Sequence, residues 1–281
     1  MAGMTRPNVG LIAARQSKES FAVLATNCVC THKIVTVYDR SFLFPLYTYP
    51  NDSQSEKRLT TFDTRSANLS AKFVHRVSAL LGVRWTCDGS GDLLHTIGPE
   101  DIFHYSYAVF YSPAYRSRYA EFLKIDFPRL PLTGNVELFR TLTRLGGELV
   151  ALHLLESLKL EKPLTTYTGP ANPEVEKISY ARDTVWLDKA QTRGFRGVPE
   201  AVWSFHIGGY QVCDKWLKDR KGRTLSKEDI AHYHKIVVAL SETIRLMKEI
   251  DEVIEKHGGW PGAFQSTQND SQKPRGVDVA G

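Results

Sequence analysis

The sequence lacks the motifs that nucleotide-driven motors and the common amino-methyltransferases require. A phosphate-binding loop ends in Gly-Lys-Ser/Thr, because backbone N–H groups and the lysine hold the phosphates, yet the dipeptide Gly-Lys does not occur in these 281 residues. Pro-Pro is also absent, and with it the Asn/Asp-Pro-Pro-aromatic loop that would hold a flipped base. We therefore do not expect this chain to hydrolyse ATP or to transfer a methyl group by itself.

The sequence also lacks the motifs of hydrolase active sites and of metal sites. There is no G-x-S-x-G motif, and Gly89-Ser90-Gly91 is typical of a flexible turn. The only Asp/Glu-x-Lys sequence is Asp219-Arg220-Lys221, at a predicted helix end, whereas metal-dependent nucleases carry it on a strand. His232 and His234 lie two apart on a predicted helix and diverge. No catalytic, cofactor-binding or metal-binding residue is predicted.

Long apolar runs and dense cysteines are missing as well. The four cysteines form neither a disulfide framework nor paired zinc knuckles. No segment approaches the roughly 18 to 20 apolar residues of a membrane span, and the opening residues lack the apolar core of a signal peptide. We expect a cytoplasmic protein with no membrane partner.

The patterning that is present predicts an α+β fold. From Val9 to about Tyr49 the chain is rich in β-branched and aromatic residues, which favour strands. Residues 51–70 are polar and nearly unpatterned, which is typical of a long loop that carries recognition on a rigid scaffold. Residues 174–180 and 184–189 predict a strand hairpin, followed by a loop that contains QTRGFRG.

Helices are predicted from capping residues and from apolar residues at steps of three and four. The predicted helices cover 70–81, a first helix capped by Asp101, a second from Ser112 and Pro113 to about Asp126, one from Asn135, one over 209–219 and a long one from Ser226 and Asp229 to Gly258. Gly146 and Gly147 interrupt the helix from Asn135, and we expect them to permit close packing.

The net charge of +5 is mildly basic, which suits nucleic acid or an acidic partner without requiring either. The most concentrated basic stretch is KWLKDRKGRTLS, residues 215–226. We expect Trp216 and Leu217 to anchor it in the core while its basic side chains face outwards as candidate phosphate contacts. The alternative is a well-solvated joint that supports the following helix.

Three stretches together resemble the C-terminal specificity region of Type ISP restriction-modification enzymes, the single-polypeptide Type I systems. They are FHYSYAVFYSPAYRSRYAEFLKIDFPRLPL, ELFRTLTRLGGELVALHLLE and GVPEAVWSFHIGGYQVCDKWLKDRKGRTLS. The resemblance runs from about Asn8 to Phe264. The SPAYRSRYAEFLKIDFPRLPL phrase is also similar to the C-terminal region of Type IIG methyltransferases, whereas IGGYQVCDKWLKDRKGR with the earlier blocks is more specific.

In that family a nuclease, a helicase-like motor, a coupler and an N6-adenine methyltransferase precede the target recognition domain. The resemblance implies a module that reads a short asymmetric target through the major groove of duplex DNA and presents one adenine to a methyltransferase absent from this chain. Its partners would be duplex DNA and the methyltransferase and helicase-like domains of the parent polypeptide. S-adenosylmethionine, ATP and magnesium would be used by the parent enzyme, with no cofactor in this chain.

The expected organisation is a mixed α/β recognition part over 1–205, helical support over 206–264 and a disordered tail over 265–281. Basic residues beside aromatics or in polar loops supply the candidate DNA contacts, because loops reach base edges and helix ends hold phosphates. They are Arg193 and Arg196 in the QTRGFRG loop, Lys57, Arg58 and Arg65 in the polar insertion, Arg116 and Arg118 in the second helix, and Lys218, Arg220, Lys221 and Arg223 in the basic stretch.

Two other functions remain open at this point. A protein-interaction or structural module would dock the apolar stripe at 230–254 onto a methyltransferase or motor, and DNA contact would be incidental. An autonomous hydrolase or nuclease has little support from the motifs.

Overall fold

The computed structural model of the chain describes residues 4–31, 33–36, 39–50 and 65–265. Helices and antiparallel sheets are both present in them, which confirms the α+β class. The strands are β1 (Gly10–Ala14), β2 (Val23–Thr26), β3 (Ser41–Pro45), β4 (Tyr47–Thr48), β5 (Ser66–Ala67), β6 (Arg84–Trp85), β7 (Thr96–Ile97), β8 (Thr166–Thr168), β9 (Ser179–Ala181), β10 (Thr184–Trp186), β11 (Gly194–Arg196), β12 (His206–Ile207) and β13 (Tyr210–Gln211). The helices are α1 (Ala71–Leu81), α2 (Pro99–Tyr111), α3 (Pro113–Arg118), α4 (Ala120–Leu123), α5 (Val136–His153), α6 (Glu200–Trp203), α7 (Val212–Lys218), α8 (Lys227–Lys256) and α9 (Gly259–Gly262).

The N-terminal strands form a three-stranded antiparallel sheet in the order β2-β1-β3. Ile12 on the central strand lies opposite Leu24 and Leu43. No strand forms over the described residues 33–36, because the Ser41 hydroxyl accepts hydrogen bonds from the backbone N–H groups of Ile34 and Val35. The expected run of strands is therefore confirmed on both sides of this irregular segment.

Helices α2, α5 and α8 contribute most of the buried residues of the first core. Gly146 lets α2 and α5 approach closely, because a Cβ atom at this position would lie 1.8 Å from the His104 carbonyl oxygen. A Cβ atom on Gly147 would meet nothing closer than 3.4 Å, so only the first glycine is required. Asp101 is the third residue of α2, and its carboxylate accepts a hydrogen bond from the backbone N–H of Gly98, the residue before the helix.

The predicted joint between α2 and α3 is confirmed. Ser112 caps α3 by accepting a hydrogen bond from the backbone N–H of Tyr115 at 3.0 Å, and Pro113 begins the helix. Asp251 on α8 binds the Ser112 hydroxyl and the Ala114 N–H, which attaches the joint to the long helix. The second helix does not run unbroken to Asp126, because the backbone leaves the helical conformation at Tyr119 and separates α3 from α4.

A second core lies under a four-stranded antiparallel sheet with the order β8-β11-β10-β9. The predicted hairpin is β9 and β10. The QTRGFRG segment, however, is not a loop throughout, because Gly194–Arg196 forms β11, an inner strand. Phe195 explains this correction: its ring is fully buried and lies 4.3 Å from the Tyr233 ring of α8.

Helix α8 serves both cores. Ser226 and Asp229 form the predicted capping box. Its N-terminal half contributes Tyr233 to the second core, and its C-terminal half contributes Leu246 and Ile250 to the first. The chain itself therefore covers the apolar stripe that a docking module would have left exposed. None of the described helices is long and apolar enough to cross a membrane.

Candidate nucleic-acid interface

Backbone hydrogen bonds connect the basic stretch to the loop before β11. Val175 and the turn at 222–223 exchange two bonds, from the Val175 N–H to the Arg223 carbonyl at 3.0 Å and from the Gly222 N–H to the Val175 carbonyl at 2.8 Å. The N–H groups of Glu176 and Lys177 both donate to the Leu187 carbonyl, which is the geometry of a β-bulge. The sheet thus continues beyond β9 to the basic stretch.

The connection ends at Arg193, whose carbonyl accepts a hydrogen bond from the Leu187 N–H at 2.9 Å. Three strand spacings of about 4.8 Å separate the turn at 222–223 from Arg193, or about 14 Å in total. We call residues 176–177, 188–193 and 220–224 together the basic end of the four-stranded sheet. Two candidate regions that lie far apart in sequence therefore belong to one surface.

Asp188 organises the loop at this end. Asp188 is 4% exposed, and its carboxylate accepts hydrogen bonds from the Thr192 N–H at 3.0 Å, the Thr192 hydroxyl at 2.7 Å and the Arg193 N–H at 3.2 Å. Burial alone would raise the pKa of Asp188, but these hydrogen bonds and the nearby Arg193 charge lower it. The ionised carboxylate fixes the loop, and residues 189–192 remain exposed at its tip.

Arg193 supports this loop and does not extend from it. Its guanidinium lies 3.3 Å from the Glu176 carboxylate, and its side chain is 23% exposed. Gly169 packs so closely that a Cβ atom there would lie 2.6 Å from the Arg193 Cβ. Arg196 is exposed but sits at the far end of β11, opposite Thr184 and Thr166. The two arginines do not converge.

The basic stretch divides into paired and unpaired charges. Lys218 forms an ion pair with Asp214 at 2.6 Å. Arg220 lies 3.5 Å from the centre of the Trp216 ring and 3.3 Å from the Asp229 carboxylate. Leu217 is fully buried and Trp216 partly buried, as expected for an anchor. Lys221 and Arg223 are exposed and form no ion pair within the part of the chain that the structure describes.

The remaining candidates differ in their accessibility. Arg116 donates a hydrogen bond to the Phe110 carbonyl at 2.7 Å and lies over the Tyr111 ring, and burial lowers its pKa. Arg118 is exposed beside Tyr119. These two arginines are therefore not equivalent, since only Arg118 faces solvent freely.

Arg65 fixes the end of the polar insertion. It forms an ion pair with Asp88 at 2.8 Å, and its guanidinium lies 3.7 Å from the centre of the Tyr47 ring. Because this guanidinium is already engaged, a contact with DNA would have to compete with Asp88. Lys57 and Arg58 lie outside the described residues.

Helix α1 provides a second basic surface that sequence reasoning missed. Lys72, His75 and Arg76 are exposed on it, and Arg84 follows on β6. His75 and Arg84 line an open cavity of about 670 Å³ together with Trp85. The signal was available in the sequence, because no Asp or Glu occurs from Arg65 to Cys87. We call Lys72, His75, Arg76 and Arg84 the basic helix surface.

Comparisons with solved structures show the same fold in much longer chains. The ATP-dependent Type ISP restriction-modification enzyme LlaBIII bound to DNA has 17% identity and a TM-score of 0.63, and the match covers 89% of this chain and 16% of that one. A nuclease-deletion mutant of the Type ISP enzyme LlaGI with a DNA substrate mimic has 19% identity and a TM-score of 0.58, with 87% and 21% covered. The DrdV–DNA complex has 24% identity and a TM-score of 0.59, with 89% and 24% covered.

This chain thus spans a quarter or less of the length of these structural relatives. A comparison with curated proteins found no match. The family model described as the Type ISP C-terminal specificity domain matches residues 1–249. Because this match covers most of the sequence, the chain belongs to the Type ISP C-terminal specificity domain family.

Proposed function

We propose that this chain is the sequence-specific DNA recognition module of a restriction-modification enzyme. It binds duplex DNA and presents a target adenine to an N6-adenine methyltransferase domain that this chain does not contain. Besides family membership, the observation that carries the proposal is the backbone connection between the loop at 188–193 and the basic stretch. That connection places a fixed loop beside the free cations Lys221 and Arg223 on one surface.

The two parts of this surface suit the two components of DNA binding. Phosphate contacts provide most of the affinity and position the protein, whereas contacts to base edges provide the specificity. Lys221 and Arg223 are exposed and suit phosphates. The loop braced by Asp188 suits base edges, because its conformation is fixed before binding and little entropy is lost.

The parent enzyme would use S-adenosylmethionine, ATP and magnesium, and would act on DNA in the cytoplasm. Among the residues that the structure describes, no group of three or more His, Cys, Asp or Glu side chains is arranged to hold a metal ion. We propose that the methyltransferase and helicase-like domains of the parent polypeptide bind these cofactors. No chemical step is assigned to this chain.

Selection from random duplex DNA tests the proposal. The purified 281-residue chain is incubated with the random pool at low and at near-physiological salt, and bound DNA is sequenced. Enrichment of one asymmetric motif is the expected result. A pool without any motif at either salt concentration would contradict sequence-specific recognition by this chain.

A docking function is a second candidate, and one observation favours it. Phe42 and Phe44 on β3 are 44% and 43% exposed, and both rings contact Phe127 at 5.3 and 5.4 Å. Ile125 nearby in sequence is 64% exposed. Exposed apolar groups of this kind suit a contact with another domain of the parent polypeptide.

A Phe42→Ser, Phe44→Ser variant tests this candidate. It should bind DNA normally but bind the separately purified methyltransferase region less tightly than wild type does. Equal binding of the methyltransferase region would contradict the docking function.

A further inference from the structure

We propose that Gln191 and Lys189 read base edges in the major groove. This inference rests on the proposed DNA-recognition function and deepens it, because it assigns specificity to two residues at the tip of the loop that Asp188 braces. The arginines of the QTRGFRG segment then have other tasks: Arg193 supports the loop through Glu176, and Arg196 lies at the far end of its strand.

The loop conformation is determined by the protein alone. Three donor groups bind the Asp188 carboxylate, and the Asp188 backbone carbonyl accepts a further hydrogen bond from the Gln191 N–H at 3.4 Å. Leu187 just before the loop is fully buried, and the Arg193 just after it is held by Glu176. Side chains at the tip are therefore presented from a fixed backbone, which is the arrangement that precise recognition requires.

The side chains of Lys189 and Gln191 at the loop tip are available for binding. Lys189 and Gln191 are exposed and make no side-chain hydrogen bond or ion pair among the described residues. Gln191 also has a φ of 56°, a left-handed conformation that glycine adopts without strain and that costs other residues energy. Gln191 thus carries a long amide side chain at a position where the backbone conformation favours glycine.

The dimensions and chemistry of the tip suit the major groove. The loop joins two adjacent strands, which are about 4.8 Å apart, and the major groove of about 12 Å is wide enough to admit a two-stranded ribbon. A glutamine amide can form paired hydrogen bonds with N6 and N7 of adenine, and a lysine can donate to O6 and N7 of guanine. Thr192 is unsuited to this, since its hydroxyl is committed to Asp188.

The flanking charges complete the geometry. Lys221 and Arg223 lie beyond Glu176 on the same end of the sheet, about three strand spacings or 14 Å from Arg193. A loop inserted in the groove would therefore bring these cations towards the phosphates that border it. Base reading by the tip and phosphate binding by the turn are separate contributions that mutation can distinguish.

The test is a side-by-side selection from random duplex DNA with the wild-type chain, Gln191→Ala, Lys189→Ala and the control Gln16→Ala, which removes an exposed glutamine between β1 and β2. We expect the control to enrich the wild-type motif. Gln191→Ala should lose preference at one A·T position and Lys189→Ala at one G·C position, by about tenfold each. The Gln191→Ala salt dependence should remain that of wild type.

A further variant, Gln191→Gly, guards against a folding defect. Glycine relieves the left-handed strain, so this variant should melt no earlier than wild type and yet lose the same base preference. If the wild-type chain enriches a motif and the Gln191 and Lys189 variants enrich it unchanged, the inference is wrong while the proposed function stands. If the wild-type chain enriches no motif, the proposed function is wrong and the inference fails with it.

Discussion

The Tyr107 hydroxyl lies 2.6 Å from Nδ1 of His153, and Nε2 of the same ring lies 2.8 Å from the Thr243 hydroxyl on α8. Thr243 donates its single hydroxyl proton to the Ala239 carbonyl at 2.7 Å, so it must accept a hydrogen bond from the imidazole. Nε2 of His153 therefore carries a proton, and because burial lowers the pKa of His153 and keeps the ring neutral, Tyr107 donates to Nδ1. The backbone N–H of Ala25 donates to Tyr107 in turn, which links the first sheet to the helices.

This arrangement predicts a loss of stability in mild acid. Burial, assisted by the charge of Arg116, lowers the pKa of His153 to about 3, whereas an unfolded histidine has a pKa of about 6.5. Between these values the unfolded chain binds a proton that the folded chain does not. The free energy of unfolding should therefore fall below pH 6.5, by at most about 1.4 kcal/mol per pH unit from this residue.

Urea denaturation at pH 7, 6 and 5 measures the effect. A His153→Gln variant keeps hydrogen-bonding groups but cannot titrate, so its stability should fall less steeply over this range. Parallel curves for the two proteins would show that His153 does not carry the acid sensitivity.

Gly146→Ala should destabilise the first core by about 1 to 3 kcal/mol through overpacking. The physical reason is the 1.8 Å approach of the added Cβ to the His104 carbonyl oxygen. Gly147→Ala is the matched control: it meets nothing within 3.4 Å, and the helix propensity of alanine should stabilise it by up to about 1 kcal/mol. Thermal melting compares the variants, and an equal effect of both would contradict the packing described.

Lys221→Ala and Arg223→Ala should weaken binding to all DNA sequences alike. Each is expected to reduce the slope of log affinity against log salt by about one, without changing the selected motif. Lys218→Ala is the control, because Lys218 is already paired with Asp214 and should alter the slope less. Fluorescence anisotropy over a salt series measures these slopes. A changed motif in the selection from random duplex DNA would instead show that the turn reads bases.

The basic helix surface should add an independent set of phosphate contacts. A Lys72→Ala, Arg76→Ala variant is expected to lower the salt slope by about two. It should not destabilise the protein, because like charges four residues apart on a helix repel each other. Lys248→Ala, an exposed lysine on α8, is the control. An unchanged slope in the double variant would show that DNA does not reach α1.

Local signals in the sequence predicted local structure well. The caps at Ser112, Asn135 and Ser226 mark helix starts correctly, because capping involves residues only three apart. The loop assigned to QTRGFRG was wrong at Gly194–Arg196, because burial of Phe195 beneath α8 is a tertiary contact. No local pattern records such a contact.

The candidate site depended even more on long-range contacts. The sequence identified Arg193 and the basic stretch separately, but their connection through Val175 and Leu187 joins segments that are distant in the chain. Lys189 and Gln191 were not among the predicted contacts, because the hydrogen bonds by which Asp188 fixes their loop are not visible in the sequence. The segment from Arg65 to Cys87 contains no Asp or Glu. This pattern indicates a basic surface, but no such surface was predicted from it.

The sharing of α8 between two cores makes the halves of the molecule interdependent. A fragment that stopped at residue 205 would lose Leu246 and Ile250 from its own interior and expose the surface they cover. A fragment that began after residue 205 would keep Tyr233 but lose Phe195, whose ring packs against the Tyr233 ring. Melting of one core would therefore fray the helix that supports the other, and both should unfold in a single transition. Evolutionary exchange of this region between enzymes would accordingly have to move it as one piece.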